Sequence, residues 1–371
     1  MVCYLSSSGK SVTIEYYSPV KIGRLISTAL RRLYAFALLI FCGLSRKDFI
    51  SSFRTRIEED YSETGGSLVM EFRAFPAANS WFRGNLHTHS NISDGRLEPR
   101  GVVELYKEQG WDFLALTEHE VFTHWKEFND ESFLIMPGIE VGVGAPGPYQ
   151  CHHIVGIHQG KGHAEHLVSN DNSELWGVEG AQRAIDELAQ KGYFSIYCHP
   201  VWSRIQFEEI EHLQRFCALE IYNHGCAVED HTGHALYYWD AFLRRGVKIW
   251  GVATDDSHQW NKDYCGGWVM VSAPSLTVRD IGDALLLGQF YSSNGPVITD
   301  YGVKDGQVYV TCSPAQSIHF VAFERRGRSY HAADGGTITS ASHSLHGDEK
   351  YVRVEVIDEW GRTAWTNPIF F

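Results

Sequence analysis

The chain has no C-x-x-C pair. Its eight cysteines, Cys3, Cys42, Cys151, Cys198, Cys217, Cys226, Cys265 and Cys312, are dispersed, which argues against a zinc knuckle or a redox dithiol and makes a reducing cytoplasm the expected compartment. A basic surplus is also lacking: 32 Lys and Arg face 45 Asp and Glu, a net charge of -13, so no nucleic-acid partner is expected. No block of like charges suggests a solvating tail, and there is neither a low-complexity tract nor a long-period repeat. The apolar run at 33–44 is too short for a bilayer, which needs about 20 residues.

Residues 1–75 read differently from the rest. A basic stretch (Lys21, Arg24, Arg31, Arg32) leads into the apolar run, and Arg46 and Lys47 follow it. Three readings stay open: a packed or poorly ordered amphipathic helix, a membrane-surface helix formed by residues 21–44, and a signal or anchor. Membrane contact is the secondary reading.

What the chain does have is histidine, 19 of them, beside 11 tryptophans. Neutral imidazole is the commonest metal ligand among side chains, so the count invites a search for metal sites. From Trp81 onward, short apolar runs alternate with helical stretches in βαβ rhythm. Strands are expected near 84–86, 112–116, 139–143, 153–157, 194–197, 219–222 and 248–253, with helices near 182–191 and 235–245. About seven strands with intervening helices argue for a barrel, whose chemistry gathers at the carboxyl ends of the strands. After Pro296 the helical pattern stops. Alternating runs at 308–311, 318–323, 351–357 and 364–371 predict a small antiparallel β-sandwich. The expected division is an N-terminal extension at 1–75, a barrel at 76–299 and the sandwich at 300–371.

Polar motifs stand at those strand ends. His87-Thr88-His89 follows Leu86, and alternation lets both imidazoles face one ion while Asp94 lies on the loop beyond. Leu114-Ala115-Leu116-Thr117 delivers Glu118 and His119. Glu140 ends another apolar segment, His152-His153 begins one, His199 follows Cys198, and Asp255-Asp256-Ser257-His258 follows Ala253-Thr254. Cations a few ångströms apart repel, so a bridging carboxylate is needed between them, and Glu140 is the candidate. A water held between two such ions ionises near neutral pH, which makes a Ser or Cys nucleophile unnecessary. Two side chains outside this set are weighed against ordinary loop roles: Arg204 as a clamp for a substrate anion, and His224 as a general acid.

The ordered set H-x-H, S-D-G, T-E-H (T-D-H in the family), a strand-end Glu, a downstream His, H-P and D-x-H resembles the PHP (polymerase and histidinol phosphatase) superfamily of metallohydrolases over about residues 80–300. Trp81-Phe82-Arg83-Gly84-Asn85, Gly266-Gly267-Trp268, Tyr291-Ser292-Ser293-Asn294-Gly295-Pro296 and Trp365-Thr366-Asn367-Pro368 are similar to its carbaryl-hydrolase-like branch. The resemblance implies a distorted (β/α)7 PHP barrel, TIM-like, with a C-terminal β-sandwich. It implies a first metal on His87, His89, Glu140 and Asp256, a second on Glu140, His153 and His199, and a third on Asp94, His119 and His258. His153 is preferred over His152 because His-Ile-Val-Gly fits the family pattern, and Asp256 over Asp255 because of its spacing to His258. Where the family has Asp, this chain has Glu118, one methylene longer, and its role of orienting a ligand from behind is in doubt.

The expected function is therefore that of a metal-dependent hydrolase with two or three divalent ions (Zn, Mn or Fe) and a small-molecule substrate. A phosphate ester cleaved by a bridging hydroxide is favoured. An amide, carbamate or ester hydrolase and a non-catalytic metal-binding module are the alternatives.

Overall fold

A computed structural model describes residues 6–8, 11–13, 71–160 and 175–371 of the chain. The apolar run 33–44, and most of the expected extension 1–75, lie outside the described residues. Of that part, Ser6–Ser8 (β1) and Ser11–Thr13 (β2) form an antiparallel pair. Among the described residues no helix is long and apolar enough to cross a membrane.

Arg73–Gly302 and Val308–Phe370 cluster as one compact unit. After Glu71–Arg73 (β3), its elements run Ser80–Asn85 (β4), Pro99–Glu108 (α1), Phe113–Ala115 (β5), Leu134–Met136 (β6), Gly138–Gly144 (β7) and Cys151–His158 (β8). Gly177–Gln190 (α2), Tyr193–Tyr197 (β9), Phe207–Ile210 (α3), Ala218–Asn223 (β10), His224–Asp230 (α4), Leu236–Arg244 (α5) and Trp250–Thr254 (β11) follow. Trp268–Ala273 (β12), Val278–Leu286 (α6) and Phe290–Ser293 (β13) lead to a helix-free segment. That segment comprises Ile298–Lys304 (β14), Gln307–Ala315 (β15), Ser317–Ala322 (β16), Arg328–His331 (β17), Ile338–Ser344 (β18), Tyr351–Ile357 (β19), Thr363–Thr366 (β20) and Ile369–Phe370 (β21).

The central strands are buried on both faces, as their unbroken apolar sequences require. Along β8 and β9, Val155, Ile157, Phe194 and Ile196 pack toward one side, and Ile154, Tyr193 and Tyr197 toward the other. Helix α2 covers this sheet with Ala181, Ala184, Ile185 and Leu188, a single stripe at helical spacing. Helix α1 starts on Pro99, whose missing N–H costs nothing at that position, and buries Val102, Val103 and Tyr106.

The architecture is mixed α/β, with six α-helices among the described residues against many more strands. The regular alternation of strand and helix expected of a (β/α)7 barrel holds only in places. Strands β4, β5 and β6 are parallel neighbours, as are β9, β10 and β11. In contrast, β7 and β8 form an antiparallel hairpin, and β8 pairs antiparallel with β9. Residues 145–150 join β7 to β8, too few for the dozen or more that a parallel crossover needs.

The expected C-terminal strands are present, and they continue the sheet of the preceding region. One ten-stranded sheet runs β17-β16-β19-β20-β13-β12-β4-β5-β6, with β21 added on β19, so the motif-bearing β4 and the late β20 share it. A smaller sheet contains β18, β15 and β14 in that order. Asp240 of α5 reaches across to Arg353 of β19, accepting from Nε at 3.1 Å and Nη2 at 2.9 Å, while the guanidinium lies over Trp239.

Candidate metal centre

The ligand candidates come from six stretches of chain. His87 and His89 follow β4, His119 follows β5, Glu140 and His153 lie within the β7–β8 hairpin, His199 follows β9, and Asp256 and His258 follow β11. Single bridges Thr88–Ser257 and His119–Glu140 link these strand ends. Opposite His153 stands Gly142, where a Cβ would lie 3.0 Å from Glu120 Oε1 and 3.7 Å from His153 Nε2. Glycine there leaves room for the Glu120 carboxylate, which accepts from the Gly142 N–H at 2.6 Å.

Glu140 is the hub. Its Oε2 lies 3.2 Å from His87 Nε2, 3.1 Å from His89 Nε2 and 3.2 Å from His119 Nδ1. Its Oε1 lies 2.9 Å from His153 Nδ1 and 3.5 Å from His199 Nε2. Asp256 Oδ1 completes the first group, 3.2 Å from both His87 Nε2 and His89 Nε2, and its Oδ2 is 3.7 Å from His199 Nε2. A third group gathers on Asp94: His258 Nε2 at 3.3 Å, His119 Nε2 at 3.5 Å and His89 Nδ1 at 3.7 Å. The ring of His89 lies between those of His119 and His258, stacked at 4.5 and 4.4 Å.

These donor atoms fit divalent ions. His87 Nε2, His89 Nε2 and both Glu140 oxygens are buried yet make no hydrogen bond. Buried polar atoms normally find partners. Ligands about 2.1 Å from a shared tetrahedral ion stand about 3.4 Å apart, close to the spacing around Glu140 Oε2. Tautomers agree with this. His87 Nδ1 lies 2.9 Å from the buried carboxylate of Glu220, which can only accept, so Nδ1 carries the proton and Nε2 presents its lone pair. His258 Nδ1 likewise donates to the Asp256 carbonyl at 3.0 Å and aims Nε2 at Asp94.

Electrostatics set the charges. Burial pushes the Glu140 carboxyl up, but His87, His153 and His119 outweigh it and hold it well below the usual carboxylate range. Asp256 and Asp94 are depressed in the same way, against burial, by His87, His89 and His199 and by His119 and His258 respectively. For His89, burial lowers the imidazole, but Asp256 and Glu140 raise it to about 9. Proton and metal ion therefore compete for the same lone pair.

The two ambiguous doublets separate in space. His152 Nδ1 bonds the Tyr197 hydroxyl at 2.7 Å, away from Glu140, whereas His153 faces it. Asp256 adopts a left-handed backbone (φ 52°), as does His199 (φ 25°), a conformation that non-glycine residues keep only where their surroundings demand it. Asp255 turns the other way. It accepts from the Tyr106 hydroxyl at 2.7 Å and from the backbone N–H groups of Cys265, Gly266 and Gly267, and so anchors that loop.

Glu118 also stays off the ions. Fully buried, it accepts from the Ser93 hydroxyl at 2.6 Å, from the N–H groups of Ser90 and Ser93, and from the Ser90 hydroxyl. Ser93 in turn meets His89 Nδ1 at 3.3 Å and Asp94 Oδ1 at 3.2 Å. The longer side chain thus clamps the loop that carries Asp94.

Two expected site residues are not brought to the cluster. The Arg204 guanidinium is half exposed and paired with Asp230 at 2.9 Å. His224 has Nδ1 on the Tyr222 hydroxyl at 2.9 Å and Nε2 on the Lys262 carbonyl at 3.3 Å. Against the His153–His199 side stands Trp202 instead, its ring 5.1 Å from that of His199 and 6.3 Å from that of His153.

Glu220 is the residue the motifs missed. Besides His87 it accepts from the His199 N–H and from Asn223 Nδ2, each at 2.9 Å, and from the Thr254 hydroxyl. Asn223 Nδ2 also reaches Asp256 Oδ2 at 3.0 Å. The signal was a charged residue inside Ala218-Leu219-Glu220-Ile221-Tyr222, a strand otherwise apolar and buried throughout.

The chain matches no family model and no curated protein. Solved structures similar to it include a two-domain protein from Bacteroides vulgatus containing a predicted PHP-like metal-dependent phosphoesterase (16% identity, TM-score 0.44, covering 76% of this chain and 92% of that one). A protein from Bifidobacterium adolescentis assigned as a metal-dependent phosphoesterase aligns at 13% identity and TM-score 0.35, over 51% of this chain and 90% of that one. An amidohydrolase from Chromobacterium violaceum, with bound sulfate and no metal, aligns at 16% identity and TM-score 0.32, over 47% and 87%.

Proposed function

We propose that the chain is a metal-dependent phosphoesterase of the PHP type, working through three divalent ions held around Glu140 and Asp94. The observation that carries this reading is the convergence of unbonded, buried imidazole and carboxylate atoms on Glu140. When bound, such ions polarise a phosphoryl oxygen and acidify a water between them. The protein holds the donors in place: Glu220 fixes His87, Asn223 fixes Asp256, and Glu118 fixes the Asp94 loop. The single bridges His119–Glu140, between the segments of β5 and β7, and Thr88–Ser257, between those of β4 and β11, support reading the strands as a distorted seven-stranded ring.

Charge favours an anionic substrate. Asp94, Glu140 and Asp256 are the carboxylates among the donors, so three divalent ions bring more positive charge than these three carboxylates offset. The rim is on the third group, where the Asp94, His119 and His258 side chains are 52%, 29% and 25% exposed, so a substrate enters from that side. His119, near both Glu140 and Asp94, lies at the rim where a leaving oxygen would depart.

A second reading, hydrolysis of an amide, carbamate or ester as in the carbaryl-hydrolase-like branch, is favoured by one observation. Trp202 lines the site while Arg204 is taken up by Asp230, which leaves an aromatic wall where a phosphate clamp was expected. Manganese-loaded protein and a chelated control, assayed against a panel of phosphomonoesters and an aryl carbamate, separate the two. Chelator-sensitive phosphate release supports the phosphoesterase, and release from the carbamate alone transfers the assignment to the second reading.

A further inference from the structure

Far along the chain from the Glu140 cluster, the crossover from β18 to β19 carries His343, His346 and Glu349, spaced H-x-x-H-x-x-E. Their nearest donor atoms lie within 4.8 Å of one another. Strand β18 belongs to the smaller sheet and β19 to the ten-stranded one, so residues 345–350 pass from sheet to sheet.

His343 is the residue of β18 that turns inward. It is 6% exposed, its ring packs 5.5 Å from Phe320 of β16, and its Nε2 is buried without a hydrogen bond. A buried imidazole nitrogen left bare is unfavourable, so its position asks for a partner. Glu349 is also 6% exposed. It shapes the turn by accepting from the N–H groups of His346 and Gly347, each at 2.8 Å, and Gly347 takes the left-handed conformation (φ 93°) that the turn requires. With a third bond between His346 Nδ1 and Oε1 at 3.2 Å, the carboxylate keeps about one of its four acceptor positions open, and a bound ion would replace the His346 proton on that contact. The lone pairs of two imidazoles and a carboxylate are thus gathered within one turn.

We propose that His343, His346 and Glu349 form a second, separate metal site for a zinc-class divalent ion, with water in the fourth position, that ties the β18–β19 crossover to the sandwich core. Two imidazoles and one carboxylate suit zinc-class ions rather than calcium or magnesium, which take oxygen ligands. The proposal stands independently of the reading of the Glu140 cluster.

The test compares zinc content in the full-length chain, loaded with excess zinc and then desalted. The expected result is that His346→Gln, a change at a half-exposed side chain, retains one zinc fewer per chain than the wild type, with chelator-sensitive turnover unchanged. Glu349→Gln should also lose that ion. His199→Ala should keep it, so that combining His346→Gln with His199→Ala lowers zinc content by one ion per chain more than His199→Ala alone. Equal zinc in His346→Gln and wild type overturns the site, and loss of turnover in a folded His346→Gln overturns its separateness from the Glu140 cluster.

Discussion

Glu220 stands behind His87, with Oε1 2.9 Å from Nδ1, and neither residue is open to solvent. The carboxylate sets the tautomer and the tilt of a ring whose other nitrogen faces Glu140 and Asp256. Glu220→Gln preserves the shape and removes the charge. Metal affinity should fall by about 10–100-fold, read by competition with a chelator, because outer partners of ligating histidines contribute on that scale. An unchanged affinity would mean that Glu220 serves the fold alone.

His199→Ala should strip the ion shared with Glu140 and His153 and abolish turnover. Metal analysis and steady-state rates check this together, and wild-type activity in that variant overturns the ligand assignment.

The adjacent histidines should behave oppositely. His153→Gln removes the ring that faces Glu140 at 2.9 Å, whereas His152→Gln disturbs only the bond to the Tyr197 hydroxyl. Metal content should drop in the first variant and hold in the second, and the reverse pattern would exchange their roles.

Asp240 and Arg353 predict a stability effect away from the metals. Arg353 is buried, and Asp240→Ala leaves its guanidinium with Glu355 as remaining carboxylate. Removing one partner of such a pair costs about 3 kcal/mol, and Asp240→Ala paired with Arg353→Met should recover part of the loss. Urea unfolding of the wild type and these two variants supplies the comparison.

His124 predicts a pH effect. Burial, then Lys126 and His158, lower its imidazole from 6.5 to about 4, and its Nε2 is buried without a bond. The folded state therefore binds this proton less readily than the unfolded chain, so stability is full above about pH 6.5 and declines as pH falls toward about 4. Melting temperatures of wild type and His124→Gln across that range should converge at low pH. Parallel curves would rule the histidine out as a source of acid sensitivity.

Much of the site was legible because each ligand candidate follows or sits in an apolar strand, and strand ends are where a fold of this kind collects polar groups. His87, Glu140, His199 and Asp256 announce themselves by that contrast. Glu220 does not, since one carboxylate within a strand reads as a residue at its solvent face until the strand is known to be covered on both sides. Arg204 and His224 show what spacing leaves out: proximity in sequence to His199 or to a strand end says nothing of Asp230 or Tyr222, with which their polar atoms pair. The β7–β8 hairpin was equally hidden, because alternation of side chains is the same in parallel and antiparallel strands.

Strand β13 obtains one neighbour from β12 and the other from β20, and the Asn294 side chain accepts from the Thr363 N–H 69 positions later. A chain emerging from the ribosome makes β4 and β12 long before β20 exists. Until that last partner arrives, the sheet that bears the His87 motif ends in an open edge, and such edges pair with whatever strand is near. Arrest of synthesis before residue 363 should therefore yield aggregation rather than a smaller folded form, and the long separation should make closure of this sheet a slow step of folding.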